Sequence, residues 1–148
     1  MKIARDVRVE ALLRIAQEDY FSAEAAYEAA ISLAPERAPL RLWFAGFLSR
    51  FLGDQDRAVS ELLMAEKLAP GSAFIKLECA RVLQYQRRFE EAGARLNSIE
   101  GIDKLSSRTR RVHLDLCLQN DLRGGLNIFL VSRHFLRHWN ALRLRRTP

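Results

Sequence analysis

Apolar residues recur every three or four positions along most of the chain, which is the spacing of one face of an α-helix. Trp43, Phe47 and Phe51, for example, follow one another at intervals of four residues. Glycine, proline or an aspartate-containing turn separates the apolar stretches and predicts where each helix ends. The pattern predicts an all-α protein with eight helices, at about 3–17, 22–34, 40–52, 56–68, 73–86, 87–101, 104–119 and 126–145.

One stretch also fits a strand. Residues 112–118 alternate between apolar and other side chains with the period of two that is typical of an edge strand. A lone strand in a helical chain would have no partner for its backbone hydrogen bonds. We therefore predict that this stretch is helical.

Small residues repeat along the chain with a period of 34 or 35. Three central alanines are 35 and 34 positions apart: Ala23, Ala58 and Ala92. Each follows another small residue by twelve positions, and these residues are Ala11, Gly46 and Ala80. Pro35 and Pro70 follow the first two central alanines by twelve positions. Small residues at such places allow two antiparallel helices to cross closely, and a proline stops the second helix.

This repeated helix pair resembles the tetratricopeptide repeat, a helix–turn–helix unit of about 34 residues. The resemblance covers residues 5–103 and implies three repeats, at about 5–37, 39–72 and 73–103, with a partial repeat at 104–121. Such pairs stack into a right-handed α-solenoid. In the family, the first helices line a concave groove that holds peptides. The resemblance therefore implies a helical repeat domain at 1–121, with additional C-terminal helices and a protein-binding function.

The groove positions of the family fall largely on aromatic residues of this chain. We place Gly46 where the family has its small residue of the first helix. The resemblance then assigns eight residues to the partner-binding groove: Trp43, Phe44, Phe47, Arg50, Phe51, Phe74, Arg81 and Tyr85. A contiguous exposed surface of this kind is typical of a binding site. A register shift of one residue would instead turn about half of these side chains into the core.

The family also contains a groove that clamps a C-terminal carboxylate with lysines and asparagines. The corresponding positions here offer arginines and no asparagine. That ligand is therefore not predicted for this chain.

The basic excess of the chain belongs to its C-terminal segment. Residues 1–121 contain all 18 acidic residues and 18 of the 24 basic residues, so their charges balance. The segment 122–148 contains only basic charges. Its predicted helix places apolar residues on one side, namely Ile128, Val131, Phe135, Trp139 and Leu142. The basic face consists of Arg133, Arg137, Arg143, Arg145 and Arg146. We expect this helix to cap the repeat stack; binding to an anionic membrane surface or to nucleic acid are the alternatives.

Few residues suggest chemistry. Cys79 and Cys117 lie in apolar surroundings at helical spacing and are interpreted as reduced core thiols. His134 and His138 are four positions apart, but no acidic residue or cysteine lies near them, so we predict no metal site. No glycine-rich phosphate loop or nucleophile elbow is present. We predict a protein that is not an enzyme, has no cofactor and binds no small-molecule substrate.

The sequence shows no signal peptide and no stretch long enough to span a membrane, so we expect a cytoplasmic protein. The predicted function is that of an interaction module or adaptor, which binds a peptide or helix of another protein in the aromatic groove. The alternative is an accessory protein that acts through its basic C-terminal helix on a membrane surface or on nucleic acid.

Overall fold

In the computed structural model, described for residues 10–11, 13–15 and 17–123, the chain forms consecutive antiparallel helices. The first helix, α1, is described at 10–11 and 13–15. The complete helices that follow are α2 (Tyr20–Leu33), α3 (Ala38–Phe47), α4 (Gln55–Leu68), α5 (Ala73–Tyr85), α6 (Phe89–Asn97) and α7 (Ser107–Arg123). A π-helix, Leu48–Leu52, continues α3, and a short 3₁₀ helix, Ile102–Lys104, precedes α7.

Each helix packs chiefly on its neighbours in the chain, as expected for a repeat architecture. The helix pairs α1–α2, α3–α4 and α5–α6 form the three repeats. The structure thus confirms the predicted all-α fold. The predicted helix at 126–145 and the five arginines of the predicted basic face lie outside the described residues.

The turns inside the helix pairs repeat at the level of the backbone. Glu18, Gly53 and Arg87 adopt positive φ angles of 59°, 68° and 62°, and they are 35 and 34 positions apart. A residue in this left-handed conformation ends a helix and reverses the chain. Asp19 and Asp54 follow the first two turns, and the side chain of each accepts a hydrogen bond from a backbone N–H of the next helix, at 3.1 Å.

The three central alanines pack as the sequence predicts. Ala23, Ala58 and Ala92 are each 0% exposed, which allows the two helices of each pair to approach closely. Their identical burial confirms the repeat period.

The register of the first helix of repeat two differs from the prediction by one residue. Ala45 is fully buried, as are Ala11 and Ala80, whereas Gly46 is only partly buried. Ala45 therefore takes the place that the sequence assigned to Gly46. Thirteen positions separate Ala45 from Ala58, compared with twelve in the other two repeats.

The π-helix accounts for the additional residue. After the first residue of each helix, burial along α3 matches burial along α5 at an offset of 35 positions as far as Ser49, except that Leu42 is partly buried and Leu77 is buried. The turn glycine Gly53 corresponds to Arg87 at an offset of 34. One residue is thus inserted between Ser49 and Gly53, in the segment that forms the π-helix. A π-helix accommodates such an insertion without breaking the helix, and it frequently occurs at functional sites.

The last described helix packs against repeat three through buried polar groups. His113 lies 3.2 Å from the carbonyl oxygen of Leu96, and the Gln84 side-chain amide donates a hydrogen bond of 2.8 Å to the carbonyl of Leu116. Residues 112–118 are helical, so the strand alternative is wrong for this stretch. α7 begins at Ser107 and continues to Arg123, four residues beyond the predicted end.

Both cysteines lie in the core as free thiols. Burial raises the pKa of Cys79 to about 11 and that of Cys117 to about 12. The protonated thiol is therefore the stable form at neutral pH, as expected for a packing residue. This confirms their interpretation as reduced core thiols.

Candidate functional site

A groove opens on the side of the fold where α1, α3 and α5 lie next to each other. Its volume is about 300 Å³. It is lined by Ile15, Tyr27, Leu42, Trp43, Gly46, Phe47, Arg50, Phe51, Phe74 and Glu78. Most of these residues belong to α3, to the π-helix or to α5, so the first helices of the repeats supply the lining, as the resemblance implies.

Five of the eight predicted groove residues line this cavity: Trp43, Phe47, Arg50, Phe51 and Phe74. Among them, Phe74 is 55% exposed and Phe51 is 43% exposed, so both rings are accessible from the groove. Exposed aromatic rings in a concave surface are typical of protein-binding sites. Their role in binding stays a prediction.

The prediction is wrong for Phe44, whose ring lies in the core. Only 3% of Phe44 is exposed, and its ring stacks on Tyr27 of α2 with centroids 5.6 Å apart. The guanidinium carbon of Arg57 lies 5.6 Å from the centroid of the same ring. The one-residue change of register explains the error, because Phe44 corresponds to the buried Cys79 of repeat three.

Phe47 lines the floor of the groove but is itself a core residue. It is 2% exposed, and its ring centroid lies 5.5 Å from that of Tyr27 and 5.8 Å from that of Phe51. The prediction that the Phe47 ring is accessible to a partner is therefore wrong. Phe47 instead supports the more exposed Phe51, which also contacts Tyr20 at a centroid distance of 5.7 Å.

Arg81 and Tyr85 lie further along α5 and do not line the cavity. The Arg81 side chain donates a hydrogen bond to Glu78. The guanidinium carbon of Arg81 is 5.9 Å from the centroid of the Tyr85 ring. Tyr85 is 59% exposed. These two residues therefore form an accessible extension beside the groove.

The corrected register identifies two lining residues that the sequence prediction missed, Leu42 and Gly46. Ala45 is the buried small residue of α3. Leu42, three positions before it, and Gly46, one position after it, lie on the groove side of the helix. The sequence carries the signal as two adjacent small residues, Ala45 and Gly46, of which Ala45 is the packing residue. Tyr27 of α2 also reaches the floor of the groove from behind.

The charged lining residues are Arg50 and Glu78. Arg50 Nη2 is 3.8 Å from Glu78 Oε2, and the same oxygen also accepts hydrogen bonds from Arg81. The part of the chain that the structure describes contains no cluster of three or more histidine, cysteine, aspartate or glutamate residues able to hold a metal ion. His134 and His138 lie outside that part.

None of the helices described in the structure combines the length and apolar character needed to cross a bilayer.

The fold of this chain is similar to that of solved structures, although its sequence has no match. No protein-family model matches the sequence, and no curated protein sequence matches it either. The Sgt2 TPR domain from Aspergillus fumigatus is similar in structure, with a TM-score of 0.64, 17% sequence identity and coverage of 78% of each chain. The TPR2B domain of yeast Sti1 in its pHsp70 complex has a TM-score of 0.60 at 17% identity, covering 98% of this chain and 100% of that one.

A third similar structure is the Yersinia enterocolitica type III secretion chaperone SycD, solved in complex with a peptide of the translocator YopD. Its TM-score is 0.70 at 11% identity, and the match covers 84% of this chain and 94% of that chain. At such low identities the similarity establishes the fold alone. Together with the repeated helix pairs and backbone turns, it shows that this chain has the tetratricopeptide-repeat fold.

Proposed function

We propose that this chain is a protein-interaction module that holds a peptide or helix of a partner protein in the groove between α1, α3 and α5. The observation that carries the proposal is the exposure of Phe51 and Phe74 inside a groove of about 300 Å³. An aromatic ring that remains in contact with water loses that contact when an apolar side chain docks on it. The module acts by binding and not by catalysis.

Two similar structures support this kind of function. SycD holds a peptide of YopD, and TPR2B of Sti1 occurs in a complex named for pHsp70. Those ligands belong to those proteins, and neither is assigned to this chain.

The aromatic rings beneath the groove are closely packed, which favours selective binding. The Phe44 ring stacks on Tyr27 and the Phe47 ring packs against Tyr27 at an angle, so rings of α2 and α3 hold one another in place beneath the accessible surface. A preorganised surface loses little conformational entropy when a ligand binds. Phe51, whose ring centroid lies 5.8 Å from that of Phe47, can therefore act as an anchor on a closely packed base.

A peptide-display selection tests the proposal. A phage library of random twelve-residue peptides is selected on the full chain, and the synthetic peptides are titrated by fluorescence anisotropy. Phe74→Ala should weaken binding by about tenfold or more, because aromatic anchors contribute about 2 kcal/mol or more at such sites. Phe21→Ala is the matched control, since Phe21 is 84% exposed on α2 and does not line the groove.

Equal loss in both variants, or no loss in Phe74→Ala, would place the binding surface elsewhere. The function of the basic C-terminal helix on membranes or nucleic acid stays a prediction from the sequence.

A further inference from the structure

The groove carries an excess positive charge where the π-helix faces α5. Arg50 Nη2 is 3.8 Å from Glu78 Oε2, a long distance for an ion pair, and 57% of the Arg50 side chain is exposed. Glu78 Oε2 already accepts hydrogen bonds from Nε of Arg81, at 3.1 Å, and from its Nη2. Two guanidinium groups thus share one carboxylate, which leaves a net charge of +1 beside the aromatic lining.

Arg50 differs in this respect from Arg41 and Arg95, which are hydrogen-bonded to carboxylates. Arg41 donates a hydrogen bond of 2.8 Å to Glu61, and Arg95 donates one of 2.5 Å to Glu66. Arg50 has only its long contact with Glu78 and no hydrogen bond to any residue described in the structure. Its planar group presents five N–H donors, a geometry that suits a carboxylate.

The position of Arg50 within the groove indicates what kind of carboxylate fits. Its guanidinium rests against Gly46, where a Cβ atom would lie 3.4 Å from Nη2. Trp43 precedes it on the same face and Phe51 follows it, so partly exposed aromatic rings lie on both sides of the charge. A segment bound across these rings would continue past Arg50 in both directions, so a carboxylate that it brings there would belong to a side chain.

The inserted residue of repeat two fixes this arrangement. Arg50 and Phe51 both belong to the π-helix. The Gln55 side chain holds that turn, because its Oε1 accepts a hydrogen bond of 2.8 Å from Ser49 Oγ and its Nε2 donates one of 3.1 Å to the Ser49 carbonyl. In repeat three, which lacks the insertion, Tyr85 takes the position of Arg50.

We propose that Arg50 binds the side-chain carboxylate of an aspartate or glutamate in the segment held by the groove. The groove then selects acidic amphipathic segments, in which an acidic residue stands next to the apolar side chains that contact Phe51 and Phe74. This inference rests on the proposed function and adds the charge of the partner segment to it.

Synthetic peptides from the display selection provide the test. Each acidic peptide is compared with a version in which aspartate or glutamate is replaced by the corresponding amide, and each version is made with a free and with an amidated C-terminus. Loss of the acidic side chain should weaken binding about tenfold, which corresponds to about 1.4 kcal/mol. Amidation of the C-terminus should leave the affinity unchanged.

Two variants locate the effect. Arg50→Gln should weaken binding of the acidic peptide about tenfold and leave binding of the amide version unchanged, as a double-mutant cycle requires for a direct contact. Glu78→Gln removes the competing carboxylate and should strengthen binding of the acidic peptide several-fold. Arg108→Gln, on an exposed residue of α7, is the control for net charge and should have no effect.

The outcomes separate the inference from the function on which it rests. Peptides that depend on Phe74 but bind equally well with acid or amide would overturn the role of Arg50 and leave the groove in place. Sensitivity only to C-terminal amidation would overturn the assignment to a side chain. Peptides whose affinity is unchanged by Phe74→Ala would overturn the proposal that the groove binds the partner.

Discussion

The first helices of repeats two and three bury nearly the same positions and yet present different surfaces. Their burial differs at their first residues and at Leu42, which is partly exposed where Leu77 is buried. Ala45 and Ala80 are fully buried at corresponding places, as are Phe44 and Cys79, at 3% and 0% exposed. Beyond Ser49 the two repeats diverge, because repeat two contains one more residue and forms a π-helix. The core therefore specifies the fold in both repeats, whereas one inserted residue alters the accessible surface.

The same contrast exists within repeat two. Phe47 and Phe51 are four positions apart, and their ring centroids are 5.8 Å apart. Phe47 is 2% exposed and Phe51 is 43% exposed. Adjacent rings on one helix face can thus serve stability and recognition separately, and substitutions can distinguish these roles.

The largest expected effect is on Phe47. Phe47→Ala removes a buried ring that packs on two helices, and should lower the free energy of unfolding by about 3–5 kcal/mol. Phe51→Ala removes a half-exposed ring and should cost about 1–2 kcal/mol, because only part of its apolar area is buried. Urea unfolding followed by circular dichroism measures both changes. Equal losses would contradict the division between a core ring and a groove ring.

Substitution of the central alanines tests the equivalence of the repeats. Ala58→Phe and Ala92→Phe each force a large ring into a closely packed helix crossing and should cost about 1–3 kcal/mol of stability. Ser60→Phe is the matched control, because Ser60 is exposed on the same helix as Ala58. Unchanged stability in either alanine variant, measured by thermal unfolding, would count against the repeat assignment.

Substitutions at the turn residues of repeats two and three should change stability by smaller amounts and in opposite directions. Gly53 has a φ of 68°, so Gly53→Ala should cost about 1–2 kcal/mol, since side chains disfavour the left-handed conformation. Arg87 has nearly the same φ, 62°, and Arg87→Gly should leave stability unchanged or raise it by about 0.5 kcal/mol. A marked loss in Arg87→Gly would show that its side chain stabilises the turn. Denaturant midpoints provide the comparison.

The sequence predicted the repeat because the residues that set it are unambiguous. Ala23, Ala58 and Ala92 sit where only a small side chain fits, and Asp19 and Asp54 cap the helices that follow the turns. Such local and steric requirements are visible in one sequence without any structure.

The candidate groove was only partly predictable, and the reason is the inserted residue. Ala45 and Gly46 are both small, so counting twelve positions back from Ala58 selects the glycine. The structure selects Ala45, because the π-helix holds the additional residue between Ser49 and Gly53. Whether a turn contains an additional residue depends on tertiary packing, which a count along the sequence does not register. Phe44 was misplaced for this reason.

Occupation of the groove can be observed directly through Trp43. The chain has two tryptophans, so Trp139→Phe leaves Trp43, which lines the groove, as the sole indole. Titration of this variant with a selected peptide should shift the Trp43 emission to shorter wavelength, because the ligand excludes water from the groove. The fluorescence change should saturate with the same Kd as the anisotropy of the labelled peptide. Tight binding by anisotropy with no change in Trp43 emission would contradict a ligand in this groove.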